Sequence, residues 1–297
     1  MSPSATTTLV LPGAIAVIMC SLGLTLTAAD FRRVLVAPRG VAVGMANLAV
    51  LSPLLALAVA EVFGLPPALA VGVVLLGASP GGMMANLLTH LSRGDTALSV
   101  TMTAVSSVAS VVTIPLFLGI ASAHFGADDI GDPSTVGVVA RVFAITIVPV
   151  ALGMELRRRW PERVAAAYPW ARRASLTLFA LVVLGAVVSE QDTVRDRLAE
   201  LAGAMVALNL AAMGLSFLAA RATRLNDRQA TAISLELGVH NSALAIAIGA
   251  SLSDEVAIPA AVYSTFMLFT GGTFAWFMAR RNTPLDIPAA AALKSTA

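Results

Sequence analysis

One carboxylate stands inside an apolar run. Of seventeen Asp and Glu residues in the chain, sixteen fall in loops or at the ends of apolar segments, and Glu236, within TAISLELGVHNSALAIAIGASL, does not. An ionised carboxylate at the centre of a membrane helix costs about 2.5–3.5 kcal/mol on insertion scales, so such a residue is functional by default. Two readings fit it: a protonated or snorkelling acid near a boundary, or a carboxylate that neutralises a bound cation. A cation held in lipid needs several further oxygens. Asn86, in GASPGGMMANLLTH, offers a carboxamide oxygen, and Ser99 and Thr103, in GDTALSVTMTAVSS, lie four apart and so share one helix face. Asn86, Ser99, Thr103 and Glu236 form an all-oxygen set suited to a hard ion. Ser and Thr are equally common where membrane helices simply pack, and Thr101, Ser106 and Ser107 stand in the same segment.

The same two segments contain helix breaks. Pro80-Gly81-Gly82 interrupts one, and a polar stretch from Glu236 to Ser242 interrupts the other. A break frees backbone carbonyls that can face a cation. It also creates new helix N-termini, which favour an anion. One such end follows Gly82. Asn241 or Ser242 can cap the other. Two ends meeting near the midplane point to an anionic substrate group such as a carboxylate. His240 is either a proton carrier beside Glu236 or a neutral histidine hydrogen-bonded to a freed carbonyl.

The elements that must position these residues are membrane helices. The chain of 297 residues is 58% hydrophobic and 12% charged, with a mean hydropathy of +0.85, about half the charged fraction of a soluble domain. Nine apolar spans are expected, near 8–28, 41–60, 68–92, 96–122, 136–154, 174–190, 199–220, 229–252 and 258–279, each long enough for a hydrocarbon core of roughly 30 Å. With the N-terminus outside, segments 29–40, 93–95, 155–173, 221–228 and 280–297 lie inside and hold sixteen of the nineteen Lys and Arg, while the acidic loop at 126–132 lies outside. The C-terminus is then cytoplasmic and the chain is a multi-pass protein of the cell's inner (plasma) membrane. The basic pI of about 9.2 therefore reflects orientation and not nucleic-acid binding. The first run lacks a basic residue ahead of it and reads as a retained span. A single cysteine, Cys20, excludes an internal disulfide and a cysteine-based metal cluster. No nucleophile–base set points to an enzyme.

The two interrupted spans are the third and the eighth. Spans one to four would then correspond to spans six to nine, and an offset of five reverses direction through the membrane. Paired broken helices in two inverted halves mark the binding site of a secondary transporter.

GVVLLGASPGGMMANLLTHLSRGDTALSVTMTAVSS together with ELGVHNSALAIAIG resembles the bile acid:sodium symporter family, and the likeness runs from GLTLTAADF through LPPALAVGVVLLG to the ninth span. The resemblance implies an all-α transmembrane unit with two broken, crossing helices. Its core domain would comprise spans within 41–122 and 199–279, and its panel domain the spans near 8–28, 136–154 and 174–190. Substrate would bind between the two. The resemblance also implies one sodium (Na+) site at Asn86, Ser99, Thr103 and Glu236, with a further serine ligand replaced here by Ala85. A second sodium site would include Glu236 and the Val239 carbonyl. Its two family glutamines correspond here to Leu48 and His240. Positions that face substrate in relatives correspond to Met83, Met267 and Leu268, all apolar here.

The expected function is sodium-coupled import of a small organic anion, with Gly82, Met83, Asn241 and Ser242 toward the substrate. The alternatives are a proton-coupled or facilitative transporter in which His240 stands in for a sodium ligand, and a membrane receptor or scaffold that binds without moving its ligand.

Overall fold

The computed structural model describes residues 11–127, 135–189 and 191–282. Most of the acidic loop, the first ten residues and the tail from Thr283 lie outside the described residues. Every regular element described is a helix. In chain order these are α1 (Leu11–Gly23), α2 (Ala28–Val36), α3 (Pro38–Ala46), α4 (Ser52–Val62), α5 (Pro67–Ala78), α6 (Met83–Leu91), α7 (Thr96–Phe125), α8 (Thr135–Val142), α9 (Val148–Arg159), α10 (Pro161–Ser189), α11 (Gln191–Ala222), α12 (Asp227–Gly238), α13 (Ser242–Ala250) and α14 (Asp254–Arg281). One wide, π-helical turn joins α3 to α4 (Asn47–Leu51) and another joins α8 to α9 (Phe143–Ile147). Each stands just before a proline, Pro53 or Pro149, where a ring without an N–H interrupts the regular ladder.

Among the described residues six helices are long and apolar enough to cross a membrane, and a seventh is obtained if α1 and α2, bent by 58°, are taken together. The difference from the nine expected spans lies in the broken segments. The twelve residues of α5 and the twelve of α12 reach only about 18 Å each at 1.5 Å per residue, short of a hydrocarbon core.

Three boundaries differ from the sequence reading, one of them the start of α11, which begins at Gln191 where the span was expected to begin near 199. The first helix ends at Gly23, and the stretch expected to be a loop after it contains α2, capped by Thr27, whose backbone N–H donates to the Asp30 carboxylate at 2.7 Å. Residues 161–173, also expected as a loop, form the first half of α10. Pro161 opens that helix with its preset φ and Glu162 sits in the positive first turn, while alanine is the best helix former and arginine a good one despite its charge. A hydropathy reading sees only the apolar half.

Two stretches repeat element by element. Gly64 and Arg224 both take a left-handed conformation (φ 58° and 60°). Each closes a helix with the same pair of bonds: Leu65 N–H to Ala60 and Gly64 N–H to Glu61 in one, Leu225 N–H to Ala220 and Arg224 N–H to Arg221 in the other. Each is followed by a twelve-residue helix (α5, α12), a break, a nine-residue helix (α6, α13) and a long helix containing a proline (α7 with Pro115, α14 with Pro259).

Elsewhere α1 packs against α9 and α10. Gly23 and Gly153 bring α1 and α9 into backbone contact: a Cβ at Gly23 would overlap the Val150 carbonyl, and one at Gly153 the Cys20 carbonyl. The largest buried cluster is built on α5, which is enclosed all along from Leu69 to Ala78.

Candidate ion and substrate site

Both breaks meet in the middle of the fold. Helix α5 stops at Ala78 because Pro80 cannot continue the hydrogen-bond ladder and restricts Ser79 to an extended conformation (ψ 147°). Helix α12 stops at Gly238. The two connecting segments then pair antiparallel: the Asn241 N–H donates to the Pro80 carbonyl at 2.9 Å and the Gly82 N–H to the Val239 carbonyl at 3.2 Å. The breaks thus satisfy part of each other's backbone, as a non-helical segment at membrane depth must. The Val239 carbonyl is occupied by this pairing.

Beside the crossing, side chains from α6 and α7 gather around Glu236, which is fully buried near the end of α12. The Ser99 hydroxyl of α7 donates to Glu236 Oε1 at 2.6 Å and lies 2.8 Å from Asn86 Oδ1 of α6. Thr103, one turn further along α7, places its hydroxyl 2.9 Å and 3.1 Å from the two Glu236 oxygens and 3.3 Å from Asn86 Oδ1. Asp95 caps α7 by accepting from the Leu98 N–H at 3.0 Å, which sets the register that turns Ser99 and Thr103 inward. Gly81 covers the other side: a Cβ there would overlap Glu236 Oε2. The structure therefore brings together all four members of the predicted oxygen set. These donors fit a monovalent hard cation, with one carboxylate to balance its charge and neutral oxygens to replace its water. Among the described residues no group of three or more His, Cys, Asp or Glu gathers.

His240 stands apart from this set. Its Nδ1 is 3.1 Å from the Ser79 carbonyl and its Nε2 is 3.1 Å from the Ser52 hydroxyl. A carbonyl only accepts, so Nδ1 carries a hydrogen, while Nε2 is held by the Ser52 hydroxyl, which can donate to it when the ring is neutral. Its ring braces the freed carbonyl at the end of α5. Leu48 is buried among Val41, Leu98, Met102 and Leu237.

Two residues that sequence reasoning missed support the second break. The carbonyl of Gly238, at the end of α12, accepts from Asn209 Nδ2 of α11 (2.7 Å) and from the Tyr263 hydroxyl of α14 (3.0 Å). Asn209 also donates to the Tyr263 oxygen at 2.8 Å. An asparagine alone in the apolar run MVALNLAAM was the available signal.

On the far side of the crossing lies a cavity of about 40 Å³, between α1, α6, α10, α13 and α14. Gly82, Met83, Asn241 and Ser242, the four predicted substrate residues, all line it, together with His240 and Met267. Leu268, the neighbour of Met267, is partly exposed and does not line it. Asn241 caps α13 by accepting from the Leu244 N–H at 3.2 Å, while its Nδ2 meets only the thioether of Met19 at 3.5 Å. The Ser242 hydroxyl likewise rests on the Met267 sulfur at 3.5 Å. Thioethers are weak acceptors, so both donors retain most of their hydrogen-bonding capacity for a ligand. Ser175 of α10, in the same wall, is buried with no partner for its hydroxyl.

A model of the Sodium Bile acid symporter family matches residues 12–197, more than half of the chain. The chain belongs to this family. It is 28% identical over 274 residues to the "Probable sodium/metabolite cotransporter BASS2, chloroplastic" of Oryza sativa subsp. japonica, covering 91% of this chain and 64% of that relative. It is 27% identical over 266 residues to the "Uncharacterized sodium-dependent transporter YocS" of Bacillus subtilis, covering 89% of this chain and 81% of that one. To the rat "Sodium-dependent organic anion transporter" it is 30% identical over 216 residues, 71% of this chain and 56% of the relative. The chain therefore spans just under two thirds of the rice relative's length. The family's named members are membrane transporters and not enzymes.

Proposed function

We propose that this chain is a sodium-coupled symporter of a small organic anion. It works by alternating access, with Asn86, Ser99, Thr103 and Glu236 holding one sodium ion. The observation that supports this reading most is the convergence of four oxygen-bearing side chains from α6, α7 and α12 on one point beside the crossed breaks. An ion there bridges both broken segments, so its binding free energy favours the conformation in which they are drawn together. Substrate lies across the crossing, at the ends of α6 and α13, where Gly82, Met83, Asn241 and Ser242 face it. The Asn241 carboxamide and the Ser242 hydroxyl donate to its anionic group. A cavity of about 40 Å³ holds little more than a water, whereas a ligand pocket needs roughly 300–1,000 Å³. Transport thus requires α1 and α10 to part from α6, α13 and α14.

In this reading the chain crosses the membrane nine times, the α5/α6 and α12/α13 pairs each counting as one crossing. The N-terminus is outside and the C-terminus in the cytoplasm. The matched halves are inverted repeats. Helices α3–α7 and α11–α14 form the core and α1 with α8–α10 the panel. His240, hydrogen-bonded on both ring nitrogens, occupies the second sodium position without providing an ion ligand, so one sodium moves per cycle.

The test begins with a thermal-shift screen of organic anions with and without sodium in purified protein, followed by uptake of the best hit into sealed vesicles. Accumulation driven by a sodium gradient is expected. Accumulation driven by a pH gradient in sodium-free buffer would replace sodium coupling by proton coupling, and specific binding without accumulation would make the protein a receptor.

A further inference from the structure

A second, larger cavity of about 490 Å³ lies at the ends of α1, α9 and α10 and is walled by Leu24, Thr25, Arg157, Val164, Ala165 and Tyr168. It shares two walls with the small inner cavity. Ile18 of α1 lines the inner cavity, and Leu24 and Thr25, six and seven residues on and just past the end of that helix, line the larger one. On α10, Tyr168 lines the larger cavity and Ser175 the inner one, again seven residues apart and so on one face. The two chambers are stacked along the same pair of helices. Where they meet, the Tyr168 hydroxyl touches the Met83 sulfur at 3.9 Å.

Polar groups along this route are left poorly partnered. Tyr168 rests on a thioether, as Asn241 and Ser242 do further in. The hydroxyl of Ser175 is buried with no partner at all, and so is that of Ser21 on α1, which lines neither cavity but lies between Ile18 and Thr25 in the chain. Leaving such a group unpaired costs about 1–3 kcal/mol, a penalty relieved when a hydrated or polar solute passes. The charge at the outer chamber is positive. The Arg157 guanidinium projects to the Thr25 carbonyl, and Arg157 and Arg172 both act electrostatically on Tyr168. The same end of the molecule holds Arg158 and Arg159, the side that the arginine distribution puts in the cytoplasm.

We propose that this outer chamber is a cytoplasmic vestibule for organic anions, drawn by Arg157, and that the Tyr168–Met83 contact is the closure between it and the inner cavity. The direction assigned to it rests on the transporter reading above. The chamber itself and its closure do not, and the experiment reads access to the chamber without requiring transport.

Cys20 is the one native cysteine, so Cys20→Ser with Ser175→Cys places a single thiol in the inner wall. The probes are two membrane-impermeant thiosulfonates of similar size, one bearing a sulfonate and one a quaternary ammonium. They are applied to sealed vesicles of each orientation. Tyr168→Ala is expected to raise labelling by the sulfonate reagent about tenfold from the arginine-rich side, and Met83→Ala, which removes the other half of the contact, to do the same. Adding Arg157→Gln to either is expected to lower the ratio of sulfonate to ammonium labelling by about threefold or more, because one positive charge is removed from a partly enclosed path. If neither Tyr168→Ala nor Met83→Ala changes the rate, or if labelling comes from the opposite side, the closure is wrong. If the ratio ignores Arg157, the anion vestibule is wrong. Correct labelling in a protein that shows no ion-driven uptake would leave the vestibule standing and overturn the transporter reading instead.

Discussion

Gly81 and Glu236 are in direct contact: the backbone of the first break lies against the carboxylate of the second, with no room for a Cβ between them. Sequence places these residues in different halves of the protein, and the crossing makes them one site. Gly81→Ala is expected to push the Glu236 carboxylate out of reach of Ser99 and Thr103. Overpacking of this kind costs about 1–3 kcal/mol, but the larger effect falls on the ion. The check is thermal unfolding of the purified variant across a sodium titration. Native protein should gain about 2.7 kcal/mol at a sodium concentration one hundred times its Kd, and the variant almost none. An unchanged sodium-induced shift would show that Glu236 does not hold the ion.

Glu236→Gln keeps the shape of the side chain and removes its charge. Insertion and folding should be preserved, because a neutral amide is easier to bury than a carboxylate. Sodium-driven uptake should be abolished. Monodispersity on size exclusion together with uptake into vesicles separates the two effects, and normal sodium-dependent transport would refute the assignment.

His240→Gln removes the brace between Ser79 and Ser52 and introduces a carboxamide oxygen where the family resemblance implies a ligand of a second sodium site. Uptake should depend more steeply on sodium concentration than in the native protein. No change would place the loss of the second site at Leu48, which is packed among apolar side chains and offers no oxygen.

Asn209 and Tyr263 share one task, the Gly238 carbonyl. Tyr263→Phe alone should cost roughly 1 kcal/mol, since Asn209 still donates to that carbonyl. Combining it with Asn209→Ala should cost more than the two single changes together, because only the double variant leaves the carbonyl unpaired. Chemical or thermal unfolding of the four proteins measures this. Strict additivity would mean that the pair does not support the break jointly.

Much of the protein was legible in its sequence, for physical reasons tied to particular residues. Lipid makes isolated polar groups expensive, so Glu236, Asn86 and the Pro80-Gly81-Gly82 break were visible against an apolar background. The four-residue spacing of Ser99 and Thr103 placed both on one face of α7. Other features had no local mark. Ser175, Ser21, Ser52 and Tyr168 resemble many other residues of their type, and only their neighbours distinguish them. The helical first half of α10 was hidden because its arginines favour helix while their charge breaks the apolar run. By itself the sequence determined that the chain is a polytopic helical membrane protein, where two helices break and which side chains are available for an ion. Only the tertiary structure decided that the breaks pair through Gly81 and His240, that Asn209 and Tyr263 cap Gly238, and that His240 spends both ring nitrogens on Ser79 and Ser52. The reason is that burial penalties act on each residue alone, whereas hydrogen-bond partners and cavities depend on which distant segments meet.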